Sequence, residues 1–142
     1  RFEKIGERGG ALLYHDYAHH PTEVAATLAA ARQKNPAPLL CVFQPHTYTR
    51  TRMLFDAFTR CFDDADEVVL LPIYAAREPD PGDISSQMLS DAISMRPDGP
   101  PCRCAADFED AAGIIRSLIA PGDIVLTLGA GDIEALGRLI RE

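Results

Sequence analysis

The sequence has no excess of basic residues. Lys and Arg number 14 against 21 Asp and Glu, a formal net charge of −7 with histidines neutral. That balance argues against a phosphate-backbone binder, since nucleic-acid modules carry a basic surplus on one face. No apolar run approaches the ~20 residues that a bilayer span needs. The charged start Phe2-Glu3-Lys4 leads into no apolar stretch, so a signal peptide is not expected. There is no initiator Met, which suggests a piece of something longer. Cysteine is sparse: Cys41 and Cys61 sit among apolar neighbours, and Cys102 and Cys104 make a lone C-x-C rather than the paired C-x-x-C of a zinc site. Reduced, structurally ordinary thiols are expected, as in the cytosol. No G-x-x-x-x-G-K-[ST] occurs, so a Walker-type grip on ATP phosphates is excluded for this chain alone.

What is present is a soluble, globular composition: 46% apolar and 25% charged residues over 142 positions, enough for one domain with its own core. Two short strands, Phe2 to Glu7 and Ala11 to Asp16, flank the turn Arg8-Gly9-Gly10. Pro21 at a first helical position opens a helix to about Gln33 through Val24, Leu28 and Ala31. Leu39 to Phe43 and Ile124 to Leu128 are continuous apolar runs, the mark of strands covered on both faces. A second helix is expected from about Thr51 to Asp63, with Leu54, Phe55, Phe58, Cys61 and Phe62 inward and an Arg52, Asp56, Arg60 ladder outward. Glu67 to Leu71 and Cys102 to Ala105 are further strands. Ser85 or Ser86 and Asp107 cap helices, and Ile133, Leu136 and Ile140 mark a closing one. Alternating strands and helices predict one α/β domain, a mostly parallel sheet with helices on both faces and an N-terminal β-hairpin.

Ligands of open α/β sheets bind beyond the carboxyl ends of the strands. All four histidines fall in two such loops, His15-Asp16-Tyr17-Ala18-His19-His20-Pro21 and Gln44-Pro45-His46-Thr47-Tyr48-Thr49-Arg50. A zinc or iron site on His15, Asp16, His19, His20 and His46 is conceivable, but no H-x-H or H-E-x-x-H spacing supports it. The plainer alternative has one histidine capping a helix, one in the core and the rest solvated. Arg50 stands where a guanidinium beside free helix N–H groups can clamp a carboxylate or phosphate, and Arg52 reads as a surface partner of Asp56. Gly129-Ala130-Gly131 starts like a dinucleotide fingerprint, but Glu134 breaks it. A free-standing nucleotide-binding module is therefore disfavoured.

Arg1-Phe2-Glu3, Asp16-Tyr17-Ala18-His19-His20-Pro21-Thr22-Glu23, Phe43-Gln44-Pro45-His46-Thr47-Tyr48-Thr49-Arg50-Thr51 and Leu126-Thr127-Leu128-Gly129-Ala130-Gly131-Asp132-Ile133 resemble, in order and spacing, the C-terminal domain of the Mur ligases. Within that family they are most similar to the member that adds L-alanine. The relative that attaches a ready-made tripeptide in murein recycling shares the D-[YF]-[AG]-H-H-P theme. The resemblance implies a Rossmann-like fold and the third domain of a three-domain cytoplasmic ligase of peptidoglycan synthesis. The N-terminal domain would hold UDP-N-acetylmuramate, and the central domain ATP and Mg2+. The lactyl carboxylate would be phosphorylated and then attacked by the amine of L-alanine. Carried over, Asp16 and Tyr17 would face the nucleotide. His19 and His46, the catalytic candidates, would border the alanine and the reacting centre. Arg50 would pair with the alanine carboxylate, and Gly129, Ala130 and Gly131 would form a backbone wall beside the substrate. No metal ligand is assigned in this chain. Two positions depart from the family pattern: His15 replaces the usual acidic residue, and Thr47 stands where Arg is frequent.

Overall fold

The computed structural model describes residues 2–142; Arg1, the first residue of the Arg1-Phe2-Glu3 segment, lies outside them. Strands β1 (Glu3–Arg8) and β2 (Ala11–Asp16) form the expected antiparallel hairpin, with a register shift between Lys4 and Gly6. The remaining strands are β3 (Leu39–Phe43), β4 (Glu67–Leu70), β5 (Cys102–Cys104) and β6 (Ile124–Leu128). They complete one sheet in the order β1-β2-β6-β3-β4-β5, parallel throughout except at the hairpin. The two fully apolar runs, β3 and β6, lie side by side in the middle, and every residue of both is buried. Burial on both faces is why neither run alternates.

Each face has its own core. One packs α1 (Pro21–Arg32), α3 (Phe55–Phe58) and α4 (Ser86–Ser94) through Val24, Leu28, Phe58, Phe62, Leu89 and Ile93. The other packs α5 (Phe108–Leu118) and α6 (Leu136–Arg141) through Ala111, Ala112, Ile115, Leu136 and Ile140. Ser85 and Asp107 cap α4 and α5, accepting from the N–H groups of Met88 and Asp110. All four cysteines are free, with Cys41 and Cys61 buried in the first core. No helix among the described residues is long and apolar enough to cross a membrane.

Three expectations need correction. The helix predicted from Thr51 to Asp63 starts earlier and breaks: α2 spans Tyr48–Met53, and Leu54, at φ −108° and ψ 19°, leaves helical geometry before α3 begins. Thr47 moves the start, because its Oγ1 accepts from the Arg50 N–H, and the Thr51 hydroxyl then donates to the Thr47 carbonyl. The ladder is only half formed. Arg60 meets Asp56 at 3.1 Å, but Arg52 reaches across to Asp83 at 2.8 Å, since the break at Leu54 takes it out of the i,i+4 register. Finally, the closing helix is preceded by a 3-10 turn at Asp132–Ala135.

Candidate functional site

Strand register places the chemistry. Asp16 is paired with Leu128, Leu128 with Phe43, Phe43 with Leu70, and Leu70 with Cys104. Five carboxyl ends thus stop on one line, and the loops that follow rise from a common edge.

The first loop is folded by its own side chains. Asp16 Oδ1 accepts from the Ala18 N–H at 2.8 Å, turning the chain back. Glu23 Oε1 accepts from the N–H groups of His19 and His20, both at 3.2 Å, and these bonds hold its carboxyl below the usual range. His19 Nδ1 lies 3.0 Å from the Tyr17 carbonyl, an acceptor only, so this nitrogen donates to it. His20 occupies the N-cap of α1. His15, by contrast, points into the protein at 3% exposure, with Nδ1 2.9 Å from Thr127 Oγ1; burial lowers its pKa. Here the plainer reading holds: one histidine caps, and one packs in the core.

The second loop is fixed from both sides. Gln44 is buried; its Nε2 donates to Asp132 Oδ1 at 2.9 Å, while Oε1 has no partner among the described residues. His46 pairs with Tyr74 in a parallel bridge: Tyr74 N donates to the Pro45 carbonyl and Thr47 N to the Tyr74 carbonyl, both at 2.8 Å. Thr47 takes φ 67°, and the chain turns there into α2. Glu78 Oε1 accepts from the N–H groups of Tyr48 and Thr49 at 2.8 and 3.0 Å, so a carboxylate from the distant 72–83 loop holds the first turn of α2. Arg50, half-buried, lines a hollow of about 430 Å3 with His20, Thr47, Met53 and Glu78, and among the described residues its guanidinium forms no ion pair. Burial, then His19 and the Arg50 charge, lower the pKa of His46 and favour its neutral form; its Nδ1 has no partner among the described residues.

The loops then meet. The rings of His19 and His46 are 5.6 Å apart, and His46 stacks on Tyr74 at 5.3 Å with 26° between planes. Tyr74 in turn presses on Gly131: a Cβ there would lie 2.8 Å from Tyr74 Cγ and 2.7 Å from Gln44 Oε1. Gly131 is thus a close-approach glycine, whereas Gly129 has φ 152° with Ile133 and the Gln44 carbonyl against it. His19, His46 and Gly131 are therefore linked through Tyr74 along one edge. Arg50 lines a neighbouring hollow close enough for its charge to act on His46, and half-exposed Ala130 lies between the two glycines of its turn. Asp16 and Tyr17 face a separate hollow of about 360 Å3 with Ala18, His19 and Glu23, and Tyr17 is 49% exposed. Among the described residues no three His, Cys, Asp or Glu side chains are grouped to hold a metal ion.

The sequence marks the proline-rich segment Pro72 to Asp83, its longest stretch with no periodicity, as a strand-end loop carrying Tyr74, Arg77 and Glu78, but assigns no role to Tyr74, Glu78 or Gln44. Gln44 lay in a quoted motif, and an amide ending a wholly apolar strand was its signal. Tyr74 and Glu78 sit in the stretch without periodicity, where local pattern says nothing about which distant turn a side chain reaches.

The family described as Mur ligase, glutamate ligase domain, matches residues 1–131. The chain is 49% identical over 138 residues to the UDP-N-acetylmuramate–L-alanine ligase of Clostridium beijerinckii, covering 97% of this chain and 30% of that protein. It spans about 30% of the length of the curated relatives it matches. Among solved structures it is similar to the UDP-N-acetylmuramate–alanine ligase of Thermotoga maritima, with a TM-score of 0.72 at 23% identity over 93% of this chain and 26% of that one. It is also similar to the murein peptide ligase of Psychrobacter arcticus, with a TM-score of 0.77 at 20% identity over 97% and 28%. At those identities the structures speak for the fold.

Proposed function

The chain belongs to the family of Mur ligase glutamate ligase domains, and from that premise we propose that it is the C-terminal, amino-acid-binding domain of a three-domain cytoplasmic ligase joining L-alanine to UDP-N-acetylmuramate. The observation that carries this reading is the chain of contacts from His19 through His46 and Tyr74 to Gly131, with the Arg50 charge acting on His46.

Each group has a task that its surroundings suit. The Arg50 guanidinium, not engaged by any carboxylate among the described residues, receives the carboxylate of the amino acid in a two-pronged pair. That anchors one end and leaves the amine free to attack, and orienting two reactants removes much of a barrier. His46, whose neutral form its surroundings favour, and His19 border the amine as it loses its proton. The glycine turn lets backbone approach the acyl group closely. Asp16 and Tyr17 face the nucleotide from their own hollow. ATP supplies the phosphoryl group that activates the lactyl carboxylate, and Mg2+ would be held by the central domain together with the nucleotide phosphates. Closure of this domain over the others keeps water from the acyl phosphate.

The test is ATP-dependent phosphate release with UDP-N-acetylmuramate and L-alanine, using the full-length protein that carries this chain. The 142-residue chain alone is expected to give no turnover. Arg50→Ala in the full-length protein raises the KM for L-alanine roughly 10- to 100-fold, the worth of a charge-assisted bond, and leaves the KM for ATP within about twofold. Equal effects on both would make the arginine structural. Ligation of a ready-made tripeptide instead of L-alanine would assign the chain to the recycling branch.

A further inference from the structure

We propose that Tyr74 sets the length of amino-acid side chain that the rim accepts, an inference that rests on the ligase reading above. Its ring touches both halves of the site: one face stacks on His46 at 5.3 Å, and ring carbons press on the Gly131 backbone. Two 2.8 Å backbone bonds, to Pro45 and from Thr47, fix its main chain beside the loop it covers, and the His46 ring and the Gly131 turn pack against the ring itself. The same side chain also lines a hollow of about 580 Å3 with Ile73, Phe108 and Leu139, and with Gln44 and Asp132 beside them. Tyr74 lines this space, whereas His19, His46 and Arg50 do not.

The tyrosine thus stands between His46 and an open, mostly apolar hollow rimmed by Asp107, Glu109 and Asp132. An amino acid anchored at Arg50, with its amine beside His19 and His46, meets this ring after a methyl group. A longer side chain needs the volume behind it. Gly131 makes the fit tight, because any Cβ there would push the ring out of place. Selection for a small residue then comes from a wall, not from a pocket matched to a methyl.

The experiment uses the full-length protein with Tyr74→Ala, Tyr74→Leu and Tyr74→Phe, assayed for phosphate release with L-alanine and L-norvaline. Opening the partition raises the norvaline-to-alanine ratio of kcat/KM about tenfold or more in the Ala variant, and less in the Leu variant, as expected for added methylenes finding room. Tyr74→Phe keeps the wild-type ratio because the ring remains. The KM for ATP stays unchanged in all three, which separates the effect from loss of structure. Should the Ala variant fail to fold, the Leu variant carries the comparison. A ratio unchanged in variants of normal ATP affinity, or a Phe variant that moves it as far as Ala, overturns the role of Tyr74 and leaves the ligase reading standing. A wild-type protein that transfers no L-alanine removes that reading, and this inference with it.

Discussion

Replacing Gly131 with alanine tests whether the rim is as tightly assembled as its distances imply. The added methyl would sit 2.7 Å from Gln44 Oε1 and 2.8 and 2.9 Å from two Tyr74 ring carbons, against ordinary contacts of 3.4 Å or more. Backbone strain is not the issue, since φ at Gly131 is −90°. Neither neighbour yields easily: Gln44 is buried and bonded to Asp132, and the Tyr74 ring is stacked on His46 over a main chain fixed by two backbone bonds. Overpacking of this kind costs about 1–3 kcal/mol. For a chain of this size, that lowers the midpoint of thermal unfolding by roughly 3 to 10 °C. Gly113, inside α5, is the control, because a Cβ there meets nothing within 4 Å. Gly113→Ala should stabilise by about 0.5–1 kcal/mol through helix propensity alone. Calorimetry on the two variants therefore expects shifts of opposite sign. A Gly131→Ala variant as stable as wild type would show that Tyr74 or Gln44 is free to move, and the packing account of the rim would fail.

Acid should weaken the fold from just below neutrality. His15 and His46 both have pKa values below the ordinary histidine value, burial being the leading cause. The unfolded chain then binds more protons, so stability rises with pH: their contribution is full above about pH 6.5 and drains away as pH falls through the folded-state values. Urea midpoints should drop between about pH 7.5 and 5.5, and drop less in His15→Asn; a wild-type midpoint that is flat or climbs toward acid contradicts this. The thiols should be sluggish in the native state. Burial pushes Cys61 to about 12 and Cys102 to about 11, leaving thiolate fractions near pH 8 of about 10⁻⁴ and 10⁻³. Alkylation should therefore wait for denaturant, and rapid native labelling of Cys61 would count against its placement.

The sheet was readable because its signals are local. Two unbroken apolar runs announced the central strands, and Pro21, Ser85 and Asp107 announced helix starts. The histidine loops were readable for another reason: strand ends in a parallel sheet share an edge, so His19, His46 and Gly131 could be placed together without coordinates. What escaped depends on tertiary closure. The break at Leu54 follows from where Thr47 and Glu78 fix the first turn of α2, and Arg52 then finds Asp83 rather than Asp56. Glu78 and Tyr74 reach sites about 30 positions away along the chain from a loop with no repeat of its own, and no pattern in that loop encodes the destination.

The alignment of five strand termini separates two kinds of sequence constraint. Positions within the strands answer to packing, whereas positions just past them answer to packing and chemistry together: Gln44 and Gly131 follow their strands with contacts as close as any beneath them. A change in one of these loops therefore costs stability as well as any activity. Thr47 shows the double duty, since its hydroxyl accepts from the Arg50 N–H and so fixes the turn that presents the arginine.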